Sequence, residues 1–265
     1  MNKKIPVVIP HYKEADKLKK CLSALHNQSY QPIEIYVRDN SEDNILFTAA
    51  VNEGILKYVG ERDVDYILVL NQDAYVEKSA INELVKTLEE NPKCGIACPI
   101  QIQEGTSKIS WAGGLDAYPS GVHNCTNLDA LERDLKTYWA NGAAMLLRKE
   151  MIRQIGVFDV NMKFICSDSD YSFMARSRGW SVMTSANARV FHSFSTSGNV
   201  SNLTIERVKL KDMLYFSNKW LNGELYRTLA YEGDKLTRLK IKTQIEKIEE
   251  GIRQLDTLID TEEDF

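Results

Sequence analysis

The sequence predicts an α/β fold with a mostly parallel central sheet flanked by helices. Three observations carry this prediction. Short apolar runs rich in β-branched residues alternate with segments whose apolar residues recur at helical spacing. The links between them are short, as in βαβ units. Three of the strand-like runs end in polar clusters, and in open parallel sheets ligands bind beyond the carboxyl ends of the strands.

Ile5 to Pro10 reads as a buried strand ended by proline, and Ala15 to Gln28 as a helix with Leu18, Cys21, Leu22 and Leu25 on one face. Ile33 to Val37 is a second strand, running into Arg38-Asp39-Asn40-Ser41. Ala49 to Tyr58 is a helix with Val51, Ile55 and Leu56 inward. Asp65 to Leu70 is a strand closed by Asn71-Gln72-Asp73, Ser79 to Leu88 a helix, and Gly95 to Ile100 a fourth strand. The glycine-rich stretch from Ser110 to Asn127 reads as a hairpin region. Trp139 to Arg148 is strand-like, with small residues that allow close backbone approach. A loop and helix around Asp168 follow, then a strand ending in His192. After Asn199 the chain is helical, with Met213, Leu214, Phe216 and Trp220 at helical positions. Ile241, Ile245, Ile248, Ile252, Leu255 and Ile259 then form an apolar heptad seam.

Composition narrows the function. With 43% hydrophobic residues a real core is expected. The net charge of −4, from 33 basic and 37 acidic residues, argues against a dedicated nucleic-acid binder. Five cysteines without a Cys-x-x-Cys pair read as reduced, mostly buried thiols. The apolar run before His11 is too short for a signal peptide, and no run is long enough to span a bilayer. The expectation is a cytoplasmic protein, at most peripheral at the inner face of the cell membrane.

Several side chains carry chemistry. Asp73 closes a buried strand at the ligand edge, where it either caps the next turn or holds a hard divalent cation whose other ligands are diphosphate oxygens. His192 is a strand-end histidine that would add a nitrogen ligand suited to manganese. Asp168 and Asp170 are two apart and cannot share a helix face. Ser167-x-x-Asp170 fits a capping box, which leaves Asp168 as the freer carboxylate and the candidate base. Asp39 either initiates a turn or accepts hydrogen bonds from a nucleobase edge. Trp139 is the candidate ligand contact among the tryptophans and Trp180 a core residue. Sequons at Asn124, Asn199 and Asn202 carry no weight in a cytoplasmic protein.

From Ile5 to about Trp220 the chain resembles the inverting family 2 glycosyltransferases of the GT-A fold, in particular the rhamnosyltransferase-like branch. The resemblance lies in an ordered series. Val7-Val8-Ile9-Pro10-His11-Tyr12 is similar to the opening strand, and Cys21-Leu22-x-x-Leu25-x-x-Gln28-x-Tyr30 to the helix and turn after it. Val37-Arg38-Asp39-Asn40-Ser41 resembles the nucleotide-contacting strand end, Val51-Asn52-Glu53-Gly54-Ile55 the following helix, and Asn71-Gln72-Asp73 an Asp-x-Asp site with its first carboxylate replaced. Asn141 to Arg148, Ile155-Gly156-Val157-Phe158-Asp159, the acidic loop, Gly179-Trp180 and His192 follow in turn.

The resemblance implies a nucleotide-sugar donor (dTDP-, UDP- or GDP-linked) bound by Pro10, His11, Tyr12, Asp39, Asn52, Asn71 and Asp73. It implies a divalent cation, Mn2+ or Mg2+, on Asp73 and His192. Asp168 would be the catalytic base, with Trp139 and Asp170 toward a glycan or lipid-linked acceptor of surface polysaccharide synthesis. Three departures stand out: Ser167 replaces a usual glutamate, Met174 a usual arginine and Asn71 a metal carboxylate. A catalytically weak or inactive nucleotide-sugar-binding module is therefore the alternative. A nucleotidyltransferase is disfavoured because His11 to Lys20 contains no glycine for a phosphate loop. The expected division is a GT-A catalytic domain over 1–200 and a C-terminal helical region over 201–265, whose seam packs on that domain or forms a homodimer.

Overall fold

The computed structural model describes residues 3–114, 123, 132–193, 202–221 and 235–263. Nine strands form one sheet: β1 (Ile5–His11), β2 (Ile33–Asp39), β3 (Tyr66–Leu70), β4 (Ala74–Val76), β5 (Cys94–Gln103), β6 (Ile109–Trp111), β7 (Leu135–Lys136), β8 (Ala144–Arg148) and β9 (Ser181–His192). The helices are α1 (Ala15–His26), α2 (Leu46–Tyr58), α3 (Ala80–Glu90), α4 (Lys149–Ile155), α5 (Ser167–Ser177), α6 (Leu203–Phe216) and α7 (Lys235–Glu263). The spatial order is β2-β1-β3-β8-β5-β9-β4, with β6 added to β5 and β7 to β9. β1 runs parallel to β2 and β3, and β5 parallel to β9. β8 is antiparallel to β3 and β5, and β4 antiparallel to β9.

Burial on both faces explains why β1 and β3 read as unbroken apolar runs. Val7, Ile9, Leu68, Leu70 and Leu146 face α1 and α3, packing with Cys21, Leu25, Leu84 and Leu88. Val8, Ile67, Val69, Met145 and Leu147 face the other way, onto Val51 and Ile55 of α2 and Tyr171 and Ala175 of α5. Gly54 lets α2 approach β1, because a Cβ there would sit 2.3 Å from Val8 Cγ1. Leu56, expected inward, is 61% exposed. The buried stripe of α2 runs through Val51, Ile55 and Tyr58, and Leu56 lies one residue off it.

Other expectations shift. Asp73 does not end the sheet; β4 follows it at once, too short to show a period. Only Ala144–Arg148 of the 139–148 stretch is a strand. In the expected hairpin region, β6 pairs with β5 and Gly114 bridges His123; residues 115–122 and 124–127, with Cys125 and the Asn124 sequon, lie outside the described residues, as does the Asn199 sequon. Cys21, Cys94 and Cys98 are buried and unbridged, and Cys166 is half-buried and unbridged. α7 lays part of its apolar seam on α6, where Ile248 is buried. Among the described residues no helix is long and apolar enough to cross a membrane.

Candidate active site

Strand pairing brings the distant acidic and imidazole groups together. β4 pairs antiparallel with β9 so that Ala74 lies opposite His192, and the Ser193 N–H donates to the Asp73 carbonyl. The Asp73 carboxylate and the His192 ring meet as a result, with Oδ1 3.3 Å from Nε2. On the other side of Asp73, β3 pairs with β8, and the Asn71 N–H donates to the Ala143 carbonyl. The next residue back, Gly142, donates its N–H to Asp168 Oδ2 at 2.8 Å. A Cβ at Gly142 would crowd that approach, lying 3.3 Å from Asp168 Cβ and Oδ2 and 3.4 Å from Phe47 Cζ.

A cavity of about 600 Å³ opens at this edge. Its lining includes Pro10, Tyr12, Asn71 and Asp73 from the expected donor set, together with Asn40, Asn44, Phe47, Gln72, Phe164, Asn202 and Ile205. The size and the mixture of apolar walls with a few polar groups are those of a small-molecule site. Among the described residues, five non-glycine residues have positive φ: Lys13, Glu14, Asn44, Leu46 and Cys166. Four of them line this cavity, and Cys166 immediately precedes the helix that carries Asp168. Such conformations cost about 1–3 kcal/mol each and cluster where a fold holds a functional geometry.

Gln72 organises one wall. Its Oε1 accepts from the Tyr12 N–H at 2.8 Å and contacts His11 Nδ1 at 2.6 Å; its Nε2 donates to the Tyr12 carbonyl at 3.0 Å. A backbone N–H can only donate, so the amide atom facing Tyr12 N is the oxygen and His11 carries its proton on Nδ1. His11 is therefore a buried support of the wall and is not part of the cavity lining. Only its position next to Asp73 could have drawn attention to Gln72 in the sequence.

Asp168 has one backbone donor on each oxygen, Gly142 N–H on Oδ2 and Ser169 N–H on Oδ1 at 2.7 Å. Burial pushes its carboxyl above the usual aspartate range, and these donors work against the shift. Asp168 is not part of the cavity lining; Gly142, which bonds to its carboxylate, also lies close to Phe47, a lining residue. Ser172 fixes the helix behind Asp168, its hydroxyl donating to the Asp168 carbonyl and accepting from the Ala140 N–H.

Other expected site residues are placed elsewhere. Asn52 is buried, donating to the Phe158 carbonyl at 2.9 Å and accepting the Phe158 N–H at 3.0 Å, so its amide ties α2 to the chain before α5. Asp39 is exposed at the β2 end and accepts from the Ser41 N–H; hydrogen bonding with Ser41 lowers its pKa. Trp139 is buried against Trp111 and Gly114, away from the cavity lining. Trp180 is half-buried, its indole N–H donating to Gln154.

The capping box does not form. α5 starts at Ser167 after Cys166 in a left-handed conformation, with no side-chain cap. Asp170 instead is fully buried, accepting from Trp220 Nε1 at 2.6 Å and pairing with Lys219 at 2.8 Å. Lys219 also pairs with Asp159 at 2.8 Å. Burial works against the Lys219 charge, but Asp159 and Asp170 outweigh it and raise the pKa. Lys219 and Trp220 lie in a π-helical turn, Ser217–Leu221, that continues α6. Asp212 on α6 accepts the backbone N–H groups of Lys163, Phe164 and Ile165, which shapes the cavity wall at Phe164.

Asp73 and His192 supply one carboxylate oxygen and one imidazole nitrogen. Among the described residues no group of three or more such ligands occurs. Two donors of this kind suit a divalent cation that takes its remaining ligands from a bound diphosphate.

The model of the family described as Glycosyl transferase family 2 matches residues 7–46, the segment from β1 to the loop that lines the cavity. No curated protein matches the chain by sequence. Among solved structures, the chain is similar to GalNAc-T7 crystallised with UDP, GalNAc and Mn2+, with TM-score 0.64 and 13% identity over 96% of this chain and 57% of that one. It is also similar to S. aureus TarS, with TM-score 0.56 and 11% identity over 91% of this chain and 42% of that one. The chain thus spans about half the length of these structures, and they share its mixed α/β fold.

Proposed function

We propose that the protein is an inverting glycosyltransferase that moves a sugar, rhamnose being one candidate, from a nucleoside-diphosphate donor to a glycan or lipid-linked acceptor. The observation that carries this reading is the strand pairing that brings His192 to Asp73, on the lining of a nucleotide-sized cavity, and sets Gly142, which donates to Asp168, next to the Ala143 that accepts from Asn71; His192 and Asp168 themselves are not part of that lining. The match of residues 7–46 to a glycosyltransferase family and the UDP and Mn2+ in the GalNAc-T7 structure support it.

In this reading Pro10, Tyr12 and Asn40 border the nucleotide, and the apolar walls at Phe47 and Phe164 exclude water. Asp73 and His192 would hold Mn2+ or Mg2+, which when bound supplies Lewis-acid stabilisation of the leaving diphosphate. Asp168 accepts the proton of the attacking acceptor hydroxyl. Its two N–H donors fix the carboxylate while leaving oxygen lone pairs for that proton. A single in-line displacement inverts the anomeric centre.

A screen of nucleotide-sugars by thermal shift, with and without Mn2+, tests donor binding. A ligand at a hundred times its dissociation constant stabilises the native state by about 2.7 kcal/mol. Asp168→Asn should abolish transfer while sparing donor binding, and unchanged turnover would remove Asp168 as the base. Binding by the wild type without turnover on any acceptor would favour the inactive-module reading, which Ser167 and Met174 support.

A further inference from the structure

With Asn71 in place of a second carboxylate, the expected cation site offers one protein ligand fewer, so a positive side chain on the cavity wall is the other available partner for a diphosphate. Only three charged side chains line the cavity among the described residues: Lys13, Glu14 and Asp73. Asp73 faces His192, and Glu14 pairs with Lys17 at 2.7 Å and accepts from Gln72. Lys13 forms no ion pair among the described residues; its ammonium lies over the Tyr12 ring, 5.0 Å from the centroid. Its position is fixed locally. Lys13 follows Tyr12 and Asp73 follows Gln72, and the Tyr12 backbone is bound at both its N–H and its carbonyl by the Gln72 amide. The Lys13 backbone is held at φ 52° and its N–H donates to Ser41 Oγ. The backbone positions that carry a cationic and an anionic side chain are thereby fixed one residue beyond the same clasp, and both residues line the cavity.

We propose that Lys13 binds the diphosphate of the donor and gives the chain a share of nucleotide affinity that does not depend on metal. The proposal rests on the donor-site reading given above. An ammonium contacting phosphate oxygens makes a charge-assisted hydrogen bond, stronger than a neutral one.

The test is isothermal titration of the full chain with UDP, dTDP, GDP, uridine and inorganic pyrophosphate, in Mn2+ and in EDTA. The proteins are wild type, Lys13→Gln, Lys13→Arg, Asp73→Asn and Lys19→Gln, an exposed lysine of α1 serving as control. The wild type should bind UDP in EDTA, and Lys13→Gln should weaken this about tenfold, ~1.4 kcal/mol. Lys13→Arg and Lys19→Gln should stay close to wild type. Uridine affinity should not respond to Lys13, pyrophosphate affinity should, and Asp73→Asn should lose the gain that Mn2+ brings. The Lys13 assignment is overturned if UDP binds only with Mn2+, if Lys13→Gln binds UDP in EDTA like wild type, or if uridine weakens as much as UDP. Wild-type protein that binds none of UDP, dTDP and GDP in either buffer overturns the donor-site reading itself.

Discussion

Replacing Gln72 with leucine removes the amide that ties the end of β1 to the Asp73 turn. The side chain is 8% exposed and makes four polar contacts: His11 Nδ1, Tyr12 N–H, the Tyr12 carbonyl and, at 3.3 Å, Glu14. The Glu14 contact is long, and Glu14 has Lys17 as a partner, so it is discounted. Three intramolecular hydrogen bonds at about 1 kcal/mol net each give ~3 kcal/mol. Burial of the leucine recovers part of this, while leaving His11 Nδ1 buried without its acceptor adds to it. The expected loss is about 2–3 kcal/mol, read from the urea midpoint at unchanged m-value in equilibrium unfolding. UDP affinity should fall as well, because Tyr12 and Lys13 line the cavity. A loss below about 1 kcal/mol with nucleotide affinity intact would refute the idea that this clasp holds the wall.

Asn52→Leu should cost about 2–3 kcal/mol in urea unfolding, since it strands the buried Phe158 backbone groups, yet leave UDP affinity unchanged. An affinity loss at matched stability would return Asn52 to the donor site. Lys219→Met should cost about 2–3 kcal/mol, somewhat below the usual cost of breaking a buried pair because the lysine is partly exposed. The folded-state pKa of Lys219 is raised, so its contribution is complete below about pH 10 and is lost as pH rises through the folded value. The difference from wild type should then hold between about pH 6 and pH 9 and shrink in stronger alkali, measured by unfolding across that range. Because burial raises the Asp168 pKa, the acid limb of kcat/KM should lie above the ordinary aspartate value of about 3.9. A limb at or below that value would show that Asp168 does not report on catalysis. Gly142→Ala should lower turnover more than donor affinity, because its Cβ would press on Asp168 at 3.3 Å; equal loss of both in titration and rate assays would contradict this.

Strand-end residues were legible because burial is periodic and chemistry is not. Ile5 to Pro10 and Asp65 to Leu70 need apolar residues on both faces, so the polar residues that follow them mark the ligand edge from sequence alone. Pro10, Tyr12, Asn71 and Asp73 sit where that logic puts them. Lys13 and Phe47 carry no such mark, since a lysine after a strand end and a phenylalanine in the first turn of a helix look like ordinary surface and core, and Gln72 shows in the sequence only as the middle of the Asn71-Gln72-Asp73 cluster. Asn52, Asp170 and Trp139 went the other way: each is a polar or aromatic group next to a motif, and each is consumed by a buried partner far off in the chain.

By itself the sequence determined the alternation of strands and helices, the apolar runs of the buried strands, and the acidic residues at the ligand edge. Those follow from local periodicity, which nearest neighbours along the chain can express. Tertiary structure decided that His192 meets Asp73, that Asp168 hangs from the Gly142 N–H, and that Asp170 is spent on Lys219 and Trp220. These outcomes depend on the pairing of β4 with β9 and β3 with β8, and on the docking of the turn after α6. Contacts between segments so distant in sequence are set by complementary packing of whole elements, which no local pattern records.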